Sequence, residues 1–138
     1  MKALLLHCKN YKTKITELSS RPDDIEPESV KGEEKDCQNC VVILLTVEKG
    51  DKESETVEEL GKEIEKMAAE VEIDKVVILP FAHLSNNLAD SDKCINIFES
   101  LEERLEIEFE VLRAHFGSHK ELLLHLYGHP GNARFREF

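Results

Sequence analysis

The run Val76-Val77-Ile78-Leu79, set between Lys75 and Pro80, constrains this chain more than any other segment. Consecutive apolar residues, most of them β-branched, leave no polar face for water, so the run reads as a strand buried on both sides and central in its sheet. It opens directly into Pro80-Phe81-Ala82-His83-Leu84-Ser85 and a polar turn, Asn86-Asn87. A buried strand that ends this way delivers a histidine beyond the edge of the sheet. Later in the chain come Ala114-His115-Phe116-Gly117-Ser118-His119-Lys120 and then Gly128-His129-Pro130. A lysine just past a glycine turn emerges from a hairpin in the same manner. Two titratable groups delivered from two strand ends can build a reaction site.

The remaining elements follow from hydrophobic period. Residues 2–8 read as a buried strand, and 12–18 as a weakly alternating hairpin partner. The stretch 19–39 is acidic, carries Pro22 and Pro27, and reads as an exposed loop. Residues 40–47 are β-branched and apolar, which predicts a third strand. Thr56-x-x-Glu59 has the form of a capping box, and Val57, Leu60, Ile64, Met67, Ala68 and Val71 then share one helical face. Glu58 and Lys62 form an i,i+4 pair on the other face. Ser91 is expected to cap a second helix with the stripe Cys94, Ile95, Phe98, Leu101 and Leu105. Strands near 107–115 and 120–127 follow, joined by a turn at 116–119. The predicted order is β-β-β-α-β-α-β-β, an α+β domain with a mixed, mainly antiparallel sheet and two helices.

At 138 residues the chain suffices for one domain with one core, and its 41% apolar content is ordinary for a globular protein. No apolar run approaches the length that spans a bilayer, and the apolar stretch at the N-terminus is too short for a signal peptide, so a cytoplasmic protein is expected. The net charge is −11, from 29 acids against 18 bases. That balance argues against strong non-specific binding to a nucleic-acid backbone. The cysteines, at 8, 37, 40 and 94, are expected as free thiols. Cys37-x-x-Cys40 with His125-x-x-x-His129 would make a zinc set on paper. The pairs are far apart in sequence, and residues i and i+4 of a strand diverge by about 13 Å, so no metal is expected. Neither a Walker loop nor a G-x-S-x-G elbow is present.

Lys120 alternates with Leu122, Leu124 and Leu126 and so shares their apolar face. A partly desolvated ammonium there can attract developing negative charge or hold a water. The bland alternative is a lysine that snorkels at a strand end. His83 can bond a ribose hydroxyl or an α-amino group, or simply cap the turn that follows it. Cys8 is a small buried side chain unless a basic neighbour activates it.

Taken together, Leu4-Leu5-Leu6-His7, Thr46-Val47-Glu48-Lys49, the segment 80–85, the block ending in Lys120 and Gly128-His129-Pro130 resemble the N-terminal editing domain of archaeal-type threonyl-tRNA synthetases. The resemblance covers nearly the whole chain. It implies a D-aminoacyl-tRNA deacylase-like fold, a homodimer, and an aminoacyl-tRNA ester hydrolase that removes L-serine from tRNA(Thr) with a positioned water and the substrate's ribose hydroxyl. No metal or organic cofactor is implied. The catalytic residues would be Lys120 and His83. The aminoacylated 3′ end would lie against His7, Cys8, Val47, Pro80, Phe81, Ala82, Phe116, Gly117 and His119. The partners implied are that 3′ end and the synthetase's catalytic and anticodon-binding modules, in cis or in trans, with no membrane; the 138 residues would be a domain excised from a larger synthetase. Two positions depart from the family pattern. Its aromatic pair before the lysine is Ser118 and His119 here, and its glutamate after Gly-His-Pro falls near Ala133, between Asn132 and Arg134. These departures motivate one alternative, a non-catalytic 3′-end binding or dimerisation module, and the activity of the related fold gives a second, a D-aminoacyl-tRNA deacylase.

Overall fold

The computed structural model describes residues 1–18 and 32–138. Its elements are β1 (Lys2–Leu18), β2 (Glu34–Thr46), α1 (Glu53–Val71), β3 (Lys75–Pro80), α2 (Ser91–Glu106), β4 (Glu110–Arg113), β5 (Ser118–Leu126) and β6 (Ala133–Glu137). The observed order is thus β-β-α-β-α-β-β-β. It keeps the expected α+β class and corrects the expected order at both ends. Residues 2–18 form one strand rather than a hairpin, because the segment between 8 and 12 holds no turn and β1 pairs with β2 from Lys2 to Lys14. Residues 34–39, expected in a loop, belong to β2. The rest of that expected loop, 19–31, lies outside the described residues. Strand β6 was not expected.

All six strands form one sheet in the order β4-β3-β2-β1-β5, with β6 also on β1. Strand β5 pairs with Cys8–Leu18 and β6 with Lys2–Leu6, so the two share one edge of β1 end to end. Strand β3 is internal, with parallel partners β2 and β4 on its two sides, as its apolar run requires. The middle strand of the order is β2.

The turn at 116–119 therefore does not join a hairpin. Strand β4 lies at one end of the sheet order and β5 at the other, with only residues 114–117 between them. Laid flat, four strand spacings would separate them by about 19 Å, near the full reach of so short a link. The sheet is curled, and the link crosses its second face, where His115 borders Thr13, Ile15 and Lys35. One face carries α1 and α2 over Leu5, Ile43, Leu45, Val76 and Ile78. The other gathers Cys8, Tyr11, Val42, Val77 and Leu79, with Leu124 and Leu126 of β5 against them.

The helices keep their expected stripes with small corrections. Helix α1 starts at Glu53 after Lys52, and Thr56 lies inside its first turn, donating its hydroxyl to Lys52 O at 2.7 Å rather than capping. Glu58 and Lys62 pair at 3.5 Å. Asp90, not Ser91, caps α2 by accepting from Lys93 N at 2.9 Å. Ile97 takes the buried place expected of Ile95. Gly61 leaves room for Arg104 of α2 to lie across α1, where it meets Glu58 at 3.1 Å and Glu65 at 2.8 Å. Among the described residues no helix is long and apolar enough to cross a membrane.

Candidate functional site

Strands β2 and β3 run parallel, so their carboxyl ends finish side by side, where open sheets with helices tend to hold ligands. A cavity of about 740 Å³ opens there. Its floor is Leu45, Thr46, Val47, Leu79 and Pro80, one wall is the start of α2 with Ser91, Cys94 and Phe98, and the opposite wall runs from Phe116 to Lys120 and on to Leu122. This last wall comes from the far end of the strand order and shares the cavity with the end of β3. Phe98 and Phe116 meet edge to face at 5.4 Å and join the two walls.

The segment after β3 is tied to β2 along its length. Phe81 N donates to Leu45 O at 2.9 Å, Thr46 Oγ1 donates to Phe81 O, and Ala89 N donates to Val47 O at 3.1 Å. Ser85 Oγ donates to Glu48 at 2.7 Å and accepts from Asn87 N at 3.0 Å. Glu48 also receives the Met1 ammonium at 2.9 Å. The Ser85 hydroxyl and then that ammonium hold the Glu48 carboxyl below the usual carboxylate range. His83 is consequently fixed in place by its backbone while its ring stays exposed, edge-on to Phe81 at 5.0 Å.

Lys120 reaches the cavity from the third residue of β5, paired with Ile15. Gly117 turns the chain just before it with φ of 92°, a conformation that carries no penalty for glycine alone. The Lys120 ammonium donates to Ser118 O at 3.2 Å. Its side chain is largely desolvated, and burial pushes its pKa below the ordinary lysine value. The pairing with Leu122 holds, since both line the cavity, while Leu124 and Leu126 turn into the second core.

Of the residues expected at the site, His83, Lys120, Val47, Pro80, Phe81, Ala82, Phe116, Gly117 and His119 all line this cavity. His7 and Cys8 do not. They were expected at the end of a first strand beside β3; because β1 continues to Leu18 and pairs with β2, they sit mid-strand opposite Val41 and Cys40. Cys8 is fully buried, and burial raises its thiol to about 11. His7 meets a different motif, with His7 Nδ1 at 2.8 Å from His129 Nε2 and the Tyr127 ring tilted against it at 4.3 Å. Ala133 opens β6 opposite Leu6, and Arg134 pairs with Glu70 of α1 at 2.5 Å. The stretch around 132–134 therefore lies away from the cavity within this chain.

Sequence reasoning missed Thr46, Ser91, Cys94, Phe98 and Leu122. The signal available was the buried stripe of α2, whose first turn runs on past the edge of the sheet. Burial holds the Cys94 thiol up near about 11, so it lines the cavity as a neutral group, not a thiolate. Cys37 and Cys40 are neighbours in β2, with Cys40 Sγ 3.7 Å from Cys37 O, and neither His125 nor His129 joins them. Among the described residues no three His, Cys, Asp or Glu groups gather as metal ligands would.

The whole chain, residues 1–138, matches the model of the archaea-specific editing domain of threonyl-tRNA synthetase. The chain belongs to this family. It is 39% identical to the threonine--tRNA ligase editing subunit of Saccharolobus solfataricus, over 92% of this chain and 32% of that protein. It is 38% identical to the threonine--tRNA ligase of Hyperthermus butylicus and 33% identical to that of Thermococcus kodakarensis, each match covering 94% of this chain and 21% of the ligase. The chain thus spans about a third of the editing subunit and about a fifth of the ligases. What this editing domain offers chemically is a mostly apolar pocket lined by one partly desolvated lysine, Lys120, and two exposed imidazoles, His83 and His119.

Proposed function

We propose that the cavity takes the aminoacylated 3′-terminal adenosine of tRNA(Thr) and hydrolyses the ester when the amino acid is L-serine. The observation that carries this is the position of Lys120. Lys120 and the segment that holds His83 line the same cavity of about 740 Å³. That volume falls in the range of small-molecule sites. Water adds to the ester carbonyl, Lys120 orients that water or stabilises the oxyanion, and the bond to the ribose oxygen breaks. The proton from water reaches the departing ribose oxygen, helped by the neighbouring hydroxyl, and free serine and tRNA result. His83, at the mouth, bonds the ribose or the α-amino group.

The charge of the chain supports a narrow role in binding RNA. Arg104, Arg113, Arg134 and Arg136 are each paired with a glutamate. With a net charge of −11, the domain holds the 3′ end while the synthetase's catalytic and anticodon-binding modules, in cis or in trans, grip the rest of the tRNA. The same reading makes the domain a homodimer, supported by the terminal place of β5 in the strand order and the half-exposed Leu123 on it.

Hydrolysis assays with L-seryl-, L-threonyl- and D-aminoacyl-tRNA test this. A synthetase pocket for threonine rejects serine by one missing methyl only, about 1–3 kcal/mol or roughly 10–200-fold, so this second site must exclude the larger threonine or let its methyl displace the water, and seryl-tRNA should be cleaved faster than threonyl-tRNA. No cleavage of seryl-tRNA would leave a binding module, and faster cleavage of the D-aminoacyl ester would make the domain a D-aminoacyl-tRNA deacylase.

A further inference from the structure

The turn that aims Lys120 is closed by a contact between side chains. His115 is 2% exposed, and its Nδ1 lies 2.8 Å from Ser118 Oγ. The two residues straddle Phe116 and Gly117, so their bond spans the one step of the turn that has positive φ. The backbone carbonyl of the same Ser118 accepts from the Lys120 ammonium at 3.2 Å. His115 and Lys120 also border one narrow gap of about 10 Å³, together with Thr13, Ile15, Glu33 and Lys35. Lys35 is itself occupied with Arg113 O at 3.0 Å, just before His115.

We propose that His115 is a positioning residue for Lys120: it holds Ser118, and Ser118 holds the ammonium on the cavity wall. The physical argument is one of freedom. A lysine has four rotatable side-chain bonds, and a snorkelling lysine spreads over many rotamers at the surface. Lys120 bends back to a carbonyl two residues earlier on its own strand, which places the ammonium beside the turn and not out in water. That carbonyl keeps its direction only while the turn keeps its shape. Gly117 lets the turn form but does nothing to hold it, since glycine is the least restricted residue. The bond from His115, anchored in the core, supplies the restraint. A hydroxyl bonded to an imidazole nitrogen is also the arrangement of a base-activated nucleophile, so the test below includes a search for an adduct on Ser118.

This inference rests on the hydrolytic reading of the cavity for its kinetic consequence, but its geometric part can be measured without substrate. The test uses the full 138-residue chain and the variants Ser118→Ala, His115→Leu and His115→Asn. Asparagine can place a polar atom near the site of imidazole Nδ1, so it is the conservative rescue. Lysine side chains labelled at Cε report the Lys120 titration by NMR. In Ser118→Ala and His115→Leu the Lys120 midpoint should rise towards that of an ordinary lysine, because the released ammonium regains water. His115→Asn should restore the unmutated midpoint. With seryl-tRNA the first two variants should lose about tenfold in kcat with little change in KM, since a group misplaced by a fraction of an ångström acts mainly on the chemical step. The double variant His115→Leu/Ser118→Ala should be no worse than either single one. An unchanged Lys120 midpoint in folded Ser118→Ala, or additive losses in the double variant, would overturn the proposal. So would an aminoacyl adduct on Ser118 trapped for mass spectrometry, which would make Ser118 the nucleophile. If the unmutated chain leaves seryl-tRNA intact, the hydrolytic reading fails, while the NMR midpoints still decide whether His115 positions Lys120.

Discussion

Two places in this molecule gather histidines from the motifs of its family, and they are built on opposite terms. At the corner of β1 and β6, His7 and His129 satisfy each other. Gly131 N donates to His129 Nδ1 at 3.2 Å, so the proton of that ring sits on Nε2 and points at His7 Nδ1, 2.8 Å away. Asn132 Nδ2 donates to Tyr127 O at 2.8 Å, and Tyr127 covers the His7 ring. At the cavity, His83 is exposed and Lys120 bonds, among the described residues, a carbonyl of its own strand. Histidine content alone does not separate the two places. What separates them is where the polar capacity is spent: within the protein at the corner, towards an open cavity at the other site.

Lys120→Met is the sharpest way to break this contrast, and it carries the largest expected effect. The change keeps the aliphatic length and removes the charge. Loss of one oxyanion-type donor lowers kcat by roughly 10²–10³-fold, and a loss of that order is expected on seryl-tRNA. Stability should move the other way. Burial lowers the pKa of Lys120, so at neutral pH the folded state carries a desolvated charge that the unfolded state does not. Met at this position removes that cost, and thermal unfolding at neutral pH should shift upwards. Unaltered hydrolysis in the variant would make Lys120 a snorkelling rim residue and remove the chemical distinction between the two places.

His129→Phe sharpens the comparison from the other side. It leaves His7 Nδ1 without its partner in a site that is 8% exposed. An unsatisfied buried polar atom costs about 1–3 kcal/mol, which urea unfolding should register at neutral pH. Hydrolysis by the folded fraction should stay within about twofold, as His129 is not among the residues that line the cavity. A fall in kcat like that of Lys120→Met would show that the corner takes part in the chemistry after all, as the resemblance implied for His7.

The parts of this fold that were legible in the sequence are those that bury apolar residues against other layers. The runs in β2 and β3 and the stripes of α1 and α2 announce themselves because each faces a core. The second half of β1 does alternate, with Tyr11, Thr13 and Ile15 buried, but the polar Thr13 weakens the pattern and Lys12 and Lys14 face outward opposite Asp36 and Glu34. The first half of β2, 34–39, has Cys37 as its one apolar residue and so reads as a loop. Strand β6 is hidden for a different reason. Arg134 and Arg136 turn inwards to Glu70 and Glu63 of α1, while Phe135 is 48% exposed, so polarity runs opposite to the usual rule. The cavity was half legible. His83 closely follows β3, as the order of residues suggests, whereas Lys120 lies inside β5 and lines the cavity without the hairpin expected to deliver it. Ser91, Cys94 and Phe98 reach it only because α2 begins where β2 and β3 end, a tertiary fact. His7 was misplaced because nothing in 9–11 signals that the strand continues.

The smallest effect expected is on the pH dependence of stability, and it separates the two places along the pH axis. Burial first, and then the nearness of His129, lowers the pKa of His7 below its ordinary 6.5. Above 6.5 both the folded and the unfolded chain hold His7 neutral, and it adds no slope. As pH falls below 6.5, the unfolded chain takes up a proton that the folded chain refuses. Stability must then fall with falling pH, at a rate of at most about 1.4 kcal/mol per pH unit, until the folded pKa is passed. The geometry gives the reason for refusal: a proton on His7 Nδ1 would face the proton already on His129 Nε2. Lys120 obeys the same sign at the alkaline end. Its folded pKa is also lowered, so by itself it makes stability rise as pH passes through that value towards 10.5. The buried thiols of Cys8 and Cys94, held up to about 11, have the opposite sign and outnumber it, so urea unfolding should show a rise on the acid side and a fall above about pH 9. His7→Phe should flatten the acid rise alone, and Lys120→Met should steepen the alkaline fall alone. An acid segment that survives in His7→Phe would assign it to other groups and would mean that the His7–His129 bond tolerates a proton.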